Sequence, residues 1–170
     1  MAAGRTYTPI AKTILSNNSA TITFSSISGS YTDLILVTSA FLTEPNSQTI
    51  WVRFNDDSGS NYSYTQLYGT GSVAASSREN NLTKTSLANR ANPIDSLQDG
   101  IGIAQFMNYS NSTTHKRIIS RGGNANESLS LVVSSWRSTA AITKIELFPG
   151  DVTYSFRSGS TFTLYGIAAA

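Results

Sequence analysis

His115 is the sole histidine of this 170-residue chain, and cysteine is absent. Thiolate metal sites, disulfides and thiol redox chemistry are excluded on that ground. A hydrolytic triad needs a histidine oriented by a carboxylate beside a nucleophile, and a metal centre needs several ligands. His115 follows Asn111-Ser112-Thr113-Thr114, a hydroxyl-rich stretch, and reads as an exposed turn residue. The chain holds neither a Gly-x-Ser-x-Gly elbow nor a Gly-x-x-x-x-Gly-Lys phosphate loop. Paired carboxylates could serve glycoside hydrolysis, and Asp56-Asp57 and Asp95 with Asp99 are the candidates. Asp56 and Asp57 sit in a turn-like stretch where aspartate is favoured for its local hydrogen bonds, so the structural reading outweighs the catalytic one. Asn55 to Asn61 is as oxygen-rich as a calcium loop but lacks the spaced acids and closing glutamate of an EF-hand. No catalytic residue, cofactor or metal site is expected, and the chain is not expected to be an enzyme.

Stacking is the other chemistry on offer. Trp51, Tyr62, Tyr64 and Tyr68 would suit a carbohydrate platform if brought together. The alternative is that they close one end of a sandwich or pack against a partner.

The elements that must position these residues alternate with a period of two rather than 3.6. Ala20 to Ser25 alternates apolar and hydroxyl residues strictly, as a half-buried strand does. Thr49 to Asn55 points Ile50, Val52 and Phe54 inward and Trp51 and Arg53 outward. Thr32 to Leu42 is apolar on both faces, which predicts a central strand covered twice. Ile101 to Tyr109, His115 to Arg121, Ser128 to Trp136, Ile142 to Phe148 and Thr161 to Ile167 also read as strands. Along Ser128 to Trp136, Leu129, Leu131 and Val133 share one face, and Val132 and Trp136 the other. Turn residues cluster between these runs at Asn17-Asn18-Ser19, Gly122-Gly123-Asn124 and Pro149-Gly150-Asp151. The expected fold is all-β, a jelly-roll-like antiparallel β-sandwich of about 8–10 strands. It should form a single domain over residues 1–170, with 1–9 as an extended N-terminal arm. Tyr68 to Asp99 is polar and irregular, and an excursion with one or two short strands or a helical turn is expected there.

Charged residues make up 13% of the chain, well below the usual quarter, and the net charge is +2. The arginines are scattered, with one local run at His115-Lys116-Arg117. Nucleic-acid binders carry a basic stripe or tail, so no nucleic-acid partner is expected. No stretch is long and apolar enough for a membrane span, and no secretory leader is visible. A surface of short hydroxyl side chains suits close protein contact.

Four stretches carry a more specific signal. They are Tyr31 to Leu34, Arg53 to Ser63, Trp136 to Thr143 and Gly159 to Ile167. The second has the form FNxDxGxNYS and the last the form GSxFxLYGI. In this order they resemble bacteriophage virion structural proteins, a group of head decoration (cement) and tail-associated β-sandwich proteins. The resemblance implies a capsid decoration protein, bound to the outer surface of the head and stabilising the lattice of the major capsid protein. It implies synthesis in the host cytoplasm and a final place on the capsid surface. The expected partners are the major capsid protein and further copies of the chain as a homotrimer, with no nucleic acid and no membrane. Arg5, Tyr7 and Pro9 of the arm are the partner-binding candidates. The alternative is a tail or fibre component that binds a carbohydrate receptor through Trp51, Tyr62, Tyr64 and Tyr68.

Overall fold

The computed structural model describes residues 6–43, 48–88, 100–125, 127–151 and 153–167. Among them lie twelve strands: β1 (Tyr7–Ile14), β2 (Ile22–Phe24), β3 (Asp33–Ala40), β4 (Ile50–Phe54), β5 (Tyr62–Gly69), β6 (Ala74–Leu82), β7 (Thr85–Ala88), β8 (Gly100–Met107), β9 (Lys116–Asn124), β10 (Ser128–Trp136), β11 (Ile145–Pro149) and β12 (Thr161–Ile167). The described residues form no helix. The strands build an eight-stranded sheet, ordered β1-β12-β3-β8-β9-β10-β5-β6, and a four-stranded sheet, ordered β2-β11-β4-β7. Every pairing is antiparallel. The fold is the expected all-β, jelly-roll-like sandwich.

Alternation determines which side chains meet between the layers. Leu34, Leu36, Phe106, Ile118, Phe162 and Leu164 of the large sheet are buried with Ile22, Phe24, Val52, Ile145 and Leu147 of the small one. Phe54 is a hub, with ring centroids 5.7 Å from Phe106, 5.5 Å from Trp136 and 6.0 Å from Tyr62. Toward β5 and β6 the inner layer turns small and polar. There Thr85 Oγ1 donates to Ser134 Oγ at 2.9 Å, and Gln66 Nε2 donates to Ser77 Oγ at 2.7 Å.

The strand count exceeds the expected 8–10 for a physical reason. β5 buries Tyr62, Tyr64 and Gln66, and β1 at the sheet edge buries no residue fully, so an aliphatic alternation reveals neither. β6 (AASSRENNL) is largely exposed and forms one edge of the large sheet, and its polarity blunts that edge against further pairing. β7 closes the small sheet beside β4. Together they account for the strands expected in Tyr68 to Asp99, of which 89–99 lie outside the described residues.

The other edge of the large sheet is β1, and it takes up part of the expected arm. Tyr7 pairs with Ile167 and Pro9 with Tyr165, with a register shift between Pro9 and Ala11. An edge strand with an irregularity is where a proline without an N–H is tolerated. Arg5 lies outside the described residues.

Candidate docking surface

The aromatic candidates do not converge. Tyr62 and Tyr64 point into the sandwich and are buried. The Tyr62 ring stacks on Trp136 at 6.3 Å and its hydroxyl donates to the Asp57 carbonyl at 3.0 Å; burial pushes its pKa up to about 12. The Tyr64 hydroxyl donates to Glu79 at 2.6 Å. Tyr68 shares their strand face, whereas Trp51 lies on the outside of the opposite sheet. There Trp51 pairs with Phe148, and the Lys84 ammonium sits 4.8 Å from its ring centroid. Burial and the neighbouring Arg53 charge push the Lys84 pKa below its ordinary value. The four residues therefore form no common platform, because residues two apart on β5 must share its inner face while Trp51 belongs to the other layer.

The aspartate pair is structural as well. Asn55 and Asp56 adopt positive φ at 50° and 60°, a conformation that asparagine and aspartate tolerate, and so turn the chain from β4 into β5. Asp57 accepts hydrogen bonds from Trp136 Nε1 at 2.6 Å, Asn61 Nδ2 at 2.9 Å and the Gly59 N–H at 2.8 Å. Partial burial works to raise its pKa, but these bonds and the Arg53 charge outweigh it and hold the carboxyl below its usual range. Asp56 forms a salt bridge with Lys144 at 2.6 Å. Asn55 Oδ1 accepts from the Thr143 and Lys144 N–H groups at 2.9 and 3.0 Å, clipping the turn to the segment after β10. Asp95 and Asp99 lie outside the described residues. Among the described residues no group of His, Asp or Glu is placed to hold a metal ion.

The motifs that carry the virion resemblance thus meet in pairs. Arg53 to Ser63 is bound to Trp136 to Thr143 through Asp57 and Asn55. Tyr31 lies across Gly166, where an added Cβ would come 2.3 Å from the tyrosine ring. Their residue types are explained by packing.

The surface without such an explanation is the outer face of the large sheet. Register aligns Val37, Ile103, Arg121, Leu131 and Leu67 in one row across five strands. Ile35, Gln105, Ile119, Val133 and Thr65 make the next. Leu129 is 67% exposed, Leu67 60%, Val133 47% and Leu131 43%. No described element covers them. This corrects the expectation that the strand over Thr32 to Leu42 is covered twice: Leu34, Leu36 and Ala40 are buried, but Val37 on the other face is 37% exposed. Five strands about 4.8 Å apart, with the apolar positions spread over some 20 Å of strand, make an area of roughly 500 Å². That is the scale of the largest apolar patch on a typical monomer, and such patches are often functional. Tyr7, edge-on to Tyr165 at 6.3 Å, extends the face toward β1.

The outer face carries three guanidinium groups, and Arg78 of β6, beside Thr65, lies toward its edge. Arg117 donates to Ser135 Oγ at 2.6 Å. Arg121 is framed by Ile103 and Leu131 as its cross-strand neighbours. An arginine within an apolar field is a frequent binding hot spot, because burial against a partner strengthens its hydrogen bonds.

No family model matches this chain, and no curated protein does. Among solved structures, the alginate lyase Aly36B is similar at 7% identity and a TM-score of 0.36, over 92% of this chain and 77% of that one. A variant of that lyase in complex with alginate tetrasaccharide matches at 7% identity and a TM-score of 0.36, over 94% and 80%. β-Agarase A from Zobellia galactanivorans matches at 7% identity and a TM-score of 0.31, over 92% and 73%. These proteins are enzymes, and the expectation that the chain is not an enzyme runs against them and is withdrawn. Likenesses of this size assign it no activity.

Proposed function

We propose that the chain is a structural component of a bacteriophage particle, a decoration protein that seats the outer face of its eight-stranded sheet on the coat. The observation that carries this reading is the two-sided apolar character of β3, β8 and β10, whose inner faces are covered and whose outer faces are not. Strands of this pattern belong in a layer buried on both sides. The outer layer would come from the major capsid protein, with neighbouring copies in a homotrimer completing the contact. Burying roughly 500 Å² on each side falls below the usual 800 Å² of a stable pair, so repetition over a lattice would supply the remaining strength. The tail or fibre alternative loses support, because its proposed carbohydrate platform of Trp51, Tyr62, Tyr64 and Tyr68 is dispersed.

The test is the composition of purified particles. The reading expects on the order of hundreds of copies per particle, as a lattice-wide ligand requires. It also expects Leu131→Lys to fold and yet fail to attach. A few dozen copies, or normal attachment of the Leu131→Lys protein, would overturn it.

A further inference from the structure

At the end of the large sheet, beside the turn from β8 to β9, two surface depressions share a wall. One, of about 530 Å³, lies among Thr113, Thr114 and Thr139. The other, of about 370 Å³, lies among Ser63, Thr65, Asn80 and Arg137. His115 and Arg117 line both, and no carboxylate lines either.

Strand alternation divides the His115-Lys116-Arg117 run. Lys116 turns inward and is 1% exposed, whereas His115 and Arg117 face out. The buried Lys116 ammonium donates to the carbonyls of Asn111 at 2.6 Å, Thr114 at 3.0 Å and Thr139 at 3.1 Å. It thereby ties the 108–115 loop to the segment after β10, and these two loops wall the first depression. Its hydrogen bonds all go to carbonyls, so its positive charge stays close to the groove unneutralised. The nearby acids keep their charge but line neither depression, each held by neutral donors: Asp33 accepts from Gln105 and the Asn108 N–H, Glu79 from Tyr64, and Asp57 from Trp136. Arg137 is held by the Ser60 carbonyl at 2.6 Å and Asn81 Oδ1 at 2.9 Å, both through one terminal nitrogen. Arg117 likewise uses one terminal nitrogen on Ser135 and the Lys116 carbonyl. Each guanidinium is positioned with N–H donors to spare.

We propose that the joined depressions form a binding groove for an acidic polysaccharide, with Arg117 and Arg137 meeting its carboxylates and the threonine and serine rim meeting its hydroxyls. Two adjoining subsites suit consecutive residues of a chain. Cationic side chains beside a positive interior charge concentrate an anion there. Single-stranded nucleic acid wants exposed aromatic faces for its bases, and the one tyrosine in the lining, Tyr64, is 3% exposed. The groove shares Thr65, Arg117 and Val133 with the docking face, so the test uses the free chain, and its failure would leave the docking proposal standing.

The experiment measures binding of polygalacturonate, neutral dextran and single-stranded DNA to the full chain at low salt. Polygalacturonate is expected to bind, to weaken as salt rises, and to lose about tenfold or more in affinity in Arg117→Gln, because a charge-assisted bidentate contact is removed. Arg117→Lys should retain part of the binding, since it keeps the charge and loses the fork. Lys12→Gln, on the β1 edge, should leave it unchanged. Neutral dextran should not bind. Absent polygalacturonate binding, equal binding by Arg117→Gln, or tighter binding of DNA would overturn the proposal.

Discussion

The two faces of the eight-stranded sheet are made of much the same residues and have different fates. On β3 and β8 the inner face presents Leu34, Leu36, Ala104 and Phe106, all buried under the four-stranded sheet. The outer face presents Ile35, Val37, Ile101, Ile103 and Met107, all of them at least partly exposed. Hydrophobicity alone therefore does not determine burial; a covering layer must exist. The small sheet covers one side with four strands, and its inward residues match the inner face of the large one. Nothing in the described chain provides a second layer, and that difference is the reason for reading the outer face as a docking surface.

The comparison can be broken by truncating one residue on each side. On the inner face, Phe106→Ala removes a ring that packs against Phe54 and should cost about 3–5 kcal/mol, measured by denaturant unfolding. A loss under 1 kcal/mol would mean that the inner face is not the core. A smaller effect is expected where the layers are tied together at the β4–β5 turn. Asp57→Asn gives up the charge-assisted bond from Trp136 and should cost about 1.5 kcal/mol near neutral pH. The sign of its pH dependence follows from the folded Asp57 pKa lying below its ordinary 3.8. Its contribution is complete above the unfolded value and is lost as pH falls through the folded one. The wild-type unfolding midpoint should therefore approach that of Asp57→Asn on acidification below about pH 4, and a constant gap would refute the assignment. The smallest effect belongs to the outer face, where Leu131→Thr should change stability by no more than about 0.5 kcal/mol.

Much of this arrangement was legible in the sequence. The period of two gave eight of the strands and the fold class, because apolar alternation reports a half-buried strand directly. It missed β1, an edge strand with no fully buried residue, and β5, whose buried positions hold Tyr62, Tyr64 and Gln66 instead of aliphatic residues. The docking face was visible as two-sided apolarity in Thr32 to Leu42 and in Ser128 to Trp136. For Thr32 to Leu42 that pattern predicts double coverage, since a sequence cannot say whether the covering layer belongs to the same chain. The aromatic platform failed because proximity in sequence is not proximity on a face: Trp51 and Tyr62 are eleven positions apart and lie in opposite sheets. The alternation that placed Trp51 outward also applies to His115-Lys116-Arg117, where it separates one buried ammonium from two exposed groups.

Covalent footprinting of Leu129, Leu131 and Val133, in the free chain and in purified phage particles that carry it, tests the central claim most directly. The account predicts strong labelling of all three in the free chain and loss of that labelling in the particle, with Thr153 and Asp151 labelled in both. Equal labelling of the three residues in both states would contradict it.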